Sequence, residues 1–257
     1  NMKFNHLHVE MNNDIAYVLF NQSKDDNQFN VSLAQELLYI GNYFIESDHL
    51  KAIVVGHNGP HFSRGLLNER GDVVVDDDIV NVASEAIDAW SRISFPIIMA
   101  INGHCYSVAL SFATIADIRL AHDNVQFKVP EVTQGYIPIG GITQRLPRII
   151  GKGPSMPILL SGKTMYAEEA LNYGFINRIV YEGTVWEKAC KQAEQLAAMS
   201  PISMQYTKEC ILRGGDLPFE QALRLEIDMY MILQSGEDRM EGVNAFLEKR
   251  DPIFKGK

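Results

Sequence analysis

Cysteine is scarce in this sequence of 257 residues. The three cysteines, Cys105, Cys190 and Cys210, lie far apart and form no C-x-x-C pair. Disulfide frameworks and cysteine zinc sites both need paired or closely spaced cysteines. We therefore predict three unpaired thiols in a reducing compartment.

The sequence also lacks long apolar runs and dense clusters of positive charge. No apolar stretch approaches the roughly 20 residues needed to span a bilayer. The opening residues, NMKFNHLHVE, lack the basic and apolar regions of a secretory signal, so we expect a protein of the cytosol or an organelle matrix. The net charge is −9, and no basic cluster is denser than Glu248-Lys249-Arg250. This balance argues against nucleic acid or an anionic membrane as partner.

Three motifs that suggest other activities are incomplete. LSGKT at 160–164 resembles the end of a P-loop, but Pro157 stands at the first glycine and cannot donate an N–H to phosphate. His57 and His61 are spaced like a metal-binding pair on a helix, yet Gly59-Pro60 between them prevents a helix. No G-x-S-x-G motif occurs, which leaves a Ser–His–Asp hydrolase with little support. No metal site is predicted.

Alternating strands and helices fill the first part of the chain. Segments 6–11 and 15–20 are β-type and predict a hairpin, and AIVVG at 52–56 predicts a buried strand. Helical spacing begins after Ser32, a plausible N-cap. From residue 143 onward the pattern is mostly helical. We predict an α/β core over residues 1–195 and a helical region over 196–257.

Two segments bring backbone N–H groups to the ends of strands. They are HNGPHFSRGLL at 57–67 and INGHCYSVALSFATIADIRLA at 101–121, and the second leads into a predicted helix. Such N–H groups can hold a developing oxyanion without moving, because their dipoles are already oriented. Most helix N-termini bind only water, so each segment alone also fits a purely structural role.

Glu131 is a single carboxylate in apolar surroundings. It follows Pro130 directly and lies near Phe127, Val129 and Ile137, which we expect to wall a pocket. Desolvation there raises the pKa of a carboxyl group toward the range useful for a general base. Two N–H donors plus one base are what proton transfer beside a thioester carbonyl requires. The alternative is a solvated loop glutamate.

Several further motifs occur in a characteristic order. They are PIIMAING (96–103), ADIRLA (116–121), FKVPE (127–131), GYIPIGGITQRL (135–146), IGKG (150–153), LSGKTMYAEEALNYGFINRIV (160–180) and FLEKR (246–250). Together with the two N–H segments, they resemble the crotonase superfamily of enoyl-CoA hydratases and isomerases. The resemblance covers nearly the whole chain.

The resemblance implies a spiral of repeated ββα units, a C-terminal helical region that builds a homotrimer or a dimer of trimers, and acyl-CoA thioester substrates with no separate cofactor. It implies the backbone N–H groups of Arg64 and Val108 as oxyanion donors, and Glu131 as the second of the family's two catalytic glutamates. It also implies residues that line the CoA arm or close the site: Asn27, Phe29, Arg64, Gly65, Leu66, Leu67, Tyr230, Phe246 and Lys249.

The chain departs from the family pattern at three positions. Ser111 stands where the first catalytic glutamate is expected. Val108 lies within the usual glycine triplet, and we expect its branched side chain to disturb the geometry of that donor. Arg64 places a cation where a small residue is usual, either to pair with a CoA phosphate or to point to solvent.

Hydration by two glutamates is weakened by Ser111. A 1,3-proton shift needs only Glu131 and the oxyanion hole, so the sequence favours an enoyl-CoA double-bond isomerase. The alternatives are a hydratase with a relocated acid, a decarboxylase that needs only the enolate cradle, or a non-catalytic acyl-CoA-binding oligomer. Val108 and Ser111 are the residues that keep the last alternative open.

Overall fold

The structure is a computed structural model that describes residues 3–256. The strands are β1 (Leu7–Asn12), β2 (Ile15–Phe20), β3 (Ala52–His57), β4 (Ile97–Ile101), β5 (His104–Tyr106), β6 (Ile118–His122), β7 (Gln126–Lys128), β8 (Met165–Tyr166) and β9 (Arg178–Val180). The helices are α1 (Val31–Ile45), α2 (Asp77–Ser91), α3 (Val108–Ala113), α4 (Ile142–Ile150), α5 (Lys152–Ser161), α6 (Ala167–Asn172), α7 (Val185–Ala197), α8 (Pro201–Gly214), α9 (Phe219–Leu233) and α10 (Glu237–Glu248).

The chain passes back and forth between two sheets. The large sheet has the order β1-β2-β3-β4-β6-β9, in which β1 and β2 form the predicted antiparallel hairpin and the other neighbours are parallel. The small sheet has the order β5-β7-β8. Thus β4 is followed by β5 and then α3, and β6 by β7 and then α4. This alternation confirms the predicted spiral of ββα units.

Both faces of the large sheet are covered, which explains the unbroken apolar runs of β3 and β4. One face packs against α1 and α2, where Trp90 is fully buried and its indole N–H donates to Leu37 O at 2.8 Å. The opposite face, with Val54 and Ile98, packs against α7. Helix α7 crosses the predicted boundary between residues 195 and 196.

The start of α1 differs from the prediction. Asn30, not Ser32, is the N-cap, and its side-chain Oδ1 accepts the N–H of Leu33 at 2.9 Å. Asn30 has the extended backbone of a cap residue, and asparagine is among the strongest N-caps. Asn30 and Ser32 are both residue types that cap helices, and the helix begins at Val31, directly after Asn30.

Helices α8, α9 and α10 expose much apolar surface. A partly buried ion pair joins α8 to the core, since Lys208 Nζ lies 2.7 Å from both Asp117 Oδ2 and Phe95 O. Within residues 3–256, no helix is long and apolar enough to cross a membrane. The exposed apolar side chains of α8, α9 and α10 include Ile211, Leu212, Phe219, Leu223, Ile227, Tyr230, Met231, Ile232, Met240, Val243, Phe246 and Leu247.

We predict that these exposed side chains are covered by other copies of the chain. Burial of apolar surface is worth about 25 cal/mol per Å², and an exposed patch of this extent is unusual on a monomer. Light scattering at micromolar concentration should therefore report a trimer or a dimer of trimers. A single species at the monomer mass of 28.9 kDa would contradict this.

Candidate functional site

Glu131 is buried and has one free oxygen. It opens a 3-10 helix, Glu131–Gln134, that follows β7, and its side chain is 1% exposed. Oε1 accepts a hydrogen bond from Ser107 Oγ at 2.5 Å, whereas Oε2 is buried and has no hydrogen-bond partner within residues 3–256. Burial raises the pKa of the Glu131 carboxyl group, and the bond from Ser107 offsets part of that rise. The predicted base therefore lies in a desolvated site.

Ser107 holds the sharp turn between β5 and α3. Its φ of 58° and ψ of −135° are rarely adopted by a residue with a side chain. We expected the backbone constraint of the glycine triplet to fall on Val108, but Val108 is the first residue of α3 and the positive φ belongs to Ser107. Ser107 was not among the residues predicted from the sequence. The only indication there is that a serine, and no glycine, stands at the junction between a predicted strand and a predicted helix.

Segment 63–66 lies directly against Ser107. The N–H of Leu66 donates to Ser107 Oγ at 3.3 Å. Gly65 has a φ of 65°, and a Cβ there would lie 2.2 Å from Tyr106 O. Only glycine permits this approach of the two backbones. The loop after β3 and the turn after β5 therefore meet, as the two N–H segments predicted.

The N–H of Arg64 does not point toward the contact between this loop and Ser107. It donates to Asp26 O at 3.1 Å, so it is already satisfied. The N–H of Leu66 is directed at Ser107 instead. Across residues 3–256, the N–H of Val108 has no hydrogen-bond acceptor. Leu66, rather than Arg64, therefore directs its N–H at Ser107, the residue before Val108.

Ser111 does not contribute to this pair or to the base. It is 1% exposed, and its hydroxyl donates to Ile139 O at 2.7 Å. A neutral side chain whose proton is held by a backbone carbonyl cannot act as a second acid or base at this position. Ser111 therefore does not replace the carboxylate that the family pattern places at this position.

The predicted CoA-arm residues of the N-terminal half support the loop at 63–66. Asn27 is buried, and its Nδ2 donates to Asn58 O and His61 O. Phe29 is buried too, and its N–H donates to Gly65 O at 2.8 Å. These contacts fix the loop that carries the Leu66 N–H, together with the buried Leu67.

The side chain of Arg64 is partly buried. Its Nη2 donates to Gln28 Oε1 at 3.3 Å, and its Nε is buried without a hydrogen-bond partner within residues 3–256. A buried N–H without an acceptor costs free energy that a bound anion can recover. The solvent-facing alternative for Arg64 is therefore disfavoured.

Some predicted residues stand apart from Glu131. Ile137 is 76% exposed and does not wall the carboxylate, whereas Phe127 and Val129 are fully buried. Tyr230 and Phe246 are exposed on α9 and α10, and Lys249 ends α10. Among the described residues, none of the hydrogen bonds that join Glu131, Ser107 and Leu66 involves these three.

Comparisons with known proteins identify the family of the chain. The family model for enoyl-CoA hydratase/isomerase matches residues 10–257. The chain belongs to this family, within the crotonase superfamily. It is 28% identical to the 2,3-dehydroadipyl-CoA hydratase of Escherichia coli K12, with 95% of this chain and 96% of that protein covered. It is 30% identical to the (E)-benzylidenesuccinyl-CoA hydratase of Thauera aromatica, with coverage of 96% and 98%.

The fold is also that of an enoyl-CoA hydratase. The crystal structure of the enzyme from Bacillus anthracis superposes with a TM-score of 0.91 at 27% identity, over 98% of this chain and 100% of that one. The family and the fold predicted from the motifs are thereby confirmed.

We predict that Glu131→Gln stabilises the folded chain at alkaline pH. Because burial raises the pKa of Glu131, the folded state loses stability as pH rises through that pKa, and the loss is complete well above it. The melting temperature of the variant should exceed that of wild type by about 2–4 °C at about pH 8, the shift that about 1 kcal/mol gives in a chain of this size.

The difference should shrink as pH is lowered, because the wild-type carboxyl group then takes up its proton. Glu85→Gln, at an exposed position on α2, should give no such pH-dependent difference. A melting temperature for Glu131→Gln that stayed below wild type at every pH would show that the charge is compensated in the folded protein.

Proposed function

We propose that the chain catalyses proton transfer beside the thioester carbonyl of an enoyl-CoA, with Glu131 as its only acid/base. The observation that carries this proposal is the buried Glu131 Oε2, which has no partner within residues 3–256. The other oxygen of the same carboxylate is bonded to Ser107, which accepts the N–H of Leu66 and directly precedes Val108. A desolvated carboxylate next to two fixed donors is suited to forming an enolate and stabilising its oxygen.

In the proposed reaction, the thioester oxygen takes the place of Ser107 Oγ as the acceptor for the Leu66 N–H, with Val108 as the second donor. The Glu131 carboxylate removes a proton from the acyl chain, and the negative charge moves to the thioester oxygen. The protonated Glu131 then returns the proton at a different carbon. The double bond moves by one position, and no water is added.

Isomerisation is favoured over hydration because of Ser111. A two-glutamate hydratase uses one carboxylate to activate water and the other to supply a proton, but the Ser111 hydroxyl is bonded to Ile139 O. Hydration is the second candidate, because both curated relatives described above are named hydratases. It requires an acid from elsewhere. Decarboxylation and non-catalytic acyl-CoA binding remain alternatives that use the same cradle.

We predict that Glu131→Gln abolishes α-proton exchange. The variant keeps the shape of the side chain and removes only the basic oxygen, and loss of a general base costs about 10²- to 10⁴-fold in rate. Mass spectrometry of crotonyl-CoA and 3-butenoyl-CoA incubated with the protein in deuterated water measures both exchange and isomerisation. Formation of 3-hydroxybutyryl-CoA in the same samples reports hydration.

Two controls define the result. Coenzyme A binding by Glu131→Gln, measured by calorimetry, should survive, because the nucleotide arm does not need the base. Ser111→Ala should affect exchange far less than Glu131→Gln does. Exchange by Glu131→Gln at the wild-type rate would make the carboxylate structural and favour the non-catalytic alternative.

We predict that Arg64→Ala weakens CoA binding at low ionic strength. Among the residues that the structure describes, none accepts a hydrogen bond from Arg64 Nε, and a phosphate oxygen is a strong acceptor for guanidinium. The loss of affinity should shrink as salt rises, since screening already weakens such a pair. Calorimetry at two salt concentrations measures this, and an affinity equal to wild type at low salt would contradict phosphate pairing.

A further inference from the structure

Ser107 has the backbone setting of a nucleophilic serine. It stands on a tight turn from strand β5 into helix α3, and its φ of 58° and ψ of −135° are strained for any residue but glycine. In hydrolases with a nucleophile elbow, the serine also stands on a strained strand-to-helix turn, and the next N–H contributes to the oxyanion hole. Val108 is that next residue here. The G-x-S-x-G motif is absent, yet the backbone builds the same turn.

A base is already bonded to the hydroxyl. Ser107 Oγ lies 2.5 Å from Glu131 Oε1, and both side chains are 1% exposed. A nucleophile within hydrogen-bond reach of a buried base is the arrangement that activates serine. The second Glu131 oxygen, Oε2, has no partner within residues 3–256, so the base has no competing cation.

The same place supplies donors for a tetrahedral intermediate. The Leu66 N–H comes from a separate loop and points at Ser107 at 3.3 Å, and the Val108 N–H is free of acceptors among the described residues. One donor from the residue after the nucleophile and one from a neighbouring loop are the two parts of such an oxyanion hole.

We propose that Ser107 is an acyl-accepting nucleophile, with Glu131 as its base, and that the chain hydrolyses acyl-CoA thioesters through an ester on Ser107. The activity goes beyond the proposed proton transfer, since it attacks the thioester carbon and needs no proton on the acyl chain. Both activities use Glu131 and the same donors, so the substrate decides between them.

The steps balance with water as the co-reactant. Glu131 takes the hydroxyl proton as Ser107 Oγ bonds to the thioester carbon. The tetrahedral intermediate collapses, the carbon–sulfur bond breaks, and the CoA sulfur leaves with the proton from Glu131. Water, deprotonated by Glu131, then attacks the ester. The acid is released, and the proton returns to Ser107 Oγ.

Benzoyl-CoA separates this activity from enolate chemistry because its acyl group has no hydrogen on the carbon next to the thioester. The full chain is incubated with benzoyl-CoA, butyryl-CoA and acetyl-CoA, and free CoA is measured with a thiol reagent. Acid-quenched samples are digested and searched by mass spectrometry for an acylated peptide. We expect CoA release from at least one thioester and an acyl group on Ser107.

Substitutions at residue 107 test the assignment. Ser107→Ala and Ser107→Gly should lose the adduct and reduce CoA release by about 10³-fold or more; the glycine variant also relieves the backbone strain, so loss there reports the hydroxyl. Ser107→Cys should still become acylated. Ser91→Ala, which removes an exposed hydroxyl bonded to Asp88 O on α2, should behave as wild type.

Two results would overturn the proposal. One is the absence of both CoA release and adduct with all three thioesters. The other is CoA release that persists in Ser107→Ala, since water would then attack the thioester directly. Neither result bears on deuterium exchange, so failure of this proposal and failure of the proposed proton transfer are distinguishable.

Discussion

The hydrogen bond between Ser107 and Glu131 is the contact on which the site depends. It connects the turn after β5 to the segment after β7, and the Leu66 N–H adds the loop after β3 to the same hydroxyl. One serine oxygen therefore sets the distance between the base and both N–H segments. The small sheet brings these segments together because β5 and β7 run side by side in parallel.

Desolvation makes this contact chemically useful. Water would keep a carboxylate acidic and would compete for the free N–H of Val108. The two oxygens of Glu131 differ in their contacts, since Oε1 accepts a hydrogen bond from Ser107 and Oε2 has no partner in the described part of the chain. An unpaired buried carboxylate oxygen is costly, and a ligand that donates a hydrogen bond to Oε2 would remove that cost.

Much of the fold could be predicted, because apolar runs and turn signals report burial directly. The unbroken apolar strands β3 and β4 follow from their position between two layers of helices. The burial of Glu131 followed from Pro130 and its apolar neighbours, but the direction of Ile137 did not, since an apolar residue near a pocket in sequence can still point away from it.

The details of the site escaped prediction for a geometric reason. Arg64 and Leu66 lie two residues apart in a loop whose N–H groups point in different directions, and only the position of Asp26 decides which one is satisfied. The strain at Ser107 escaped as well, because a single sequence carries no record of φ once glycine is absent. The order of the motifs was enough to locate the segments of the site. The direction of each backbone N–H group within those segments could be read only from the structure.

The distance along the chain between the site residues has a consequence for how the protein folds. The Leu66–Ser107 contact spans 41 residues and the Ser107–Glu131 contact spans 24. Closing such loops costs conformational entropy, and this cost is offset only when the sheets have formed. The strained turn at Ser107 has little to hold it until β7 has docked on β5. A chain in which only the hairpin of β1 and β2 has formed would therefore still lack the arrangement of base and donors.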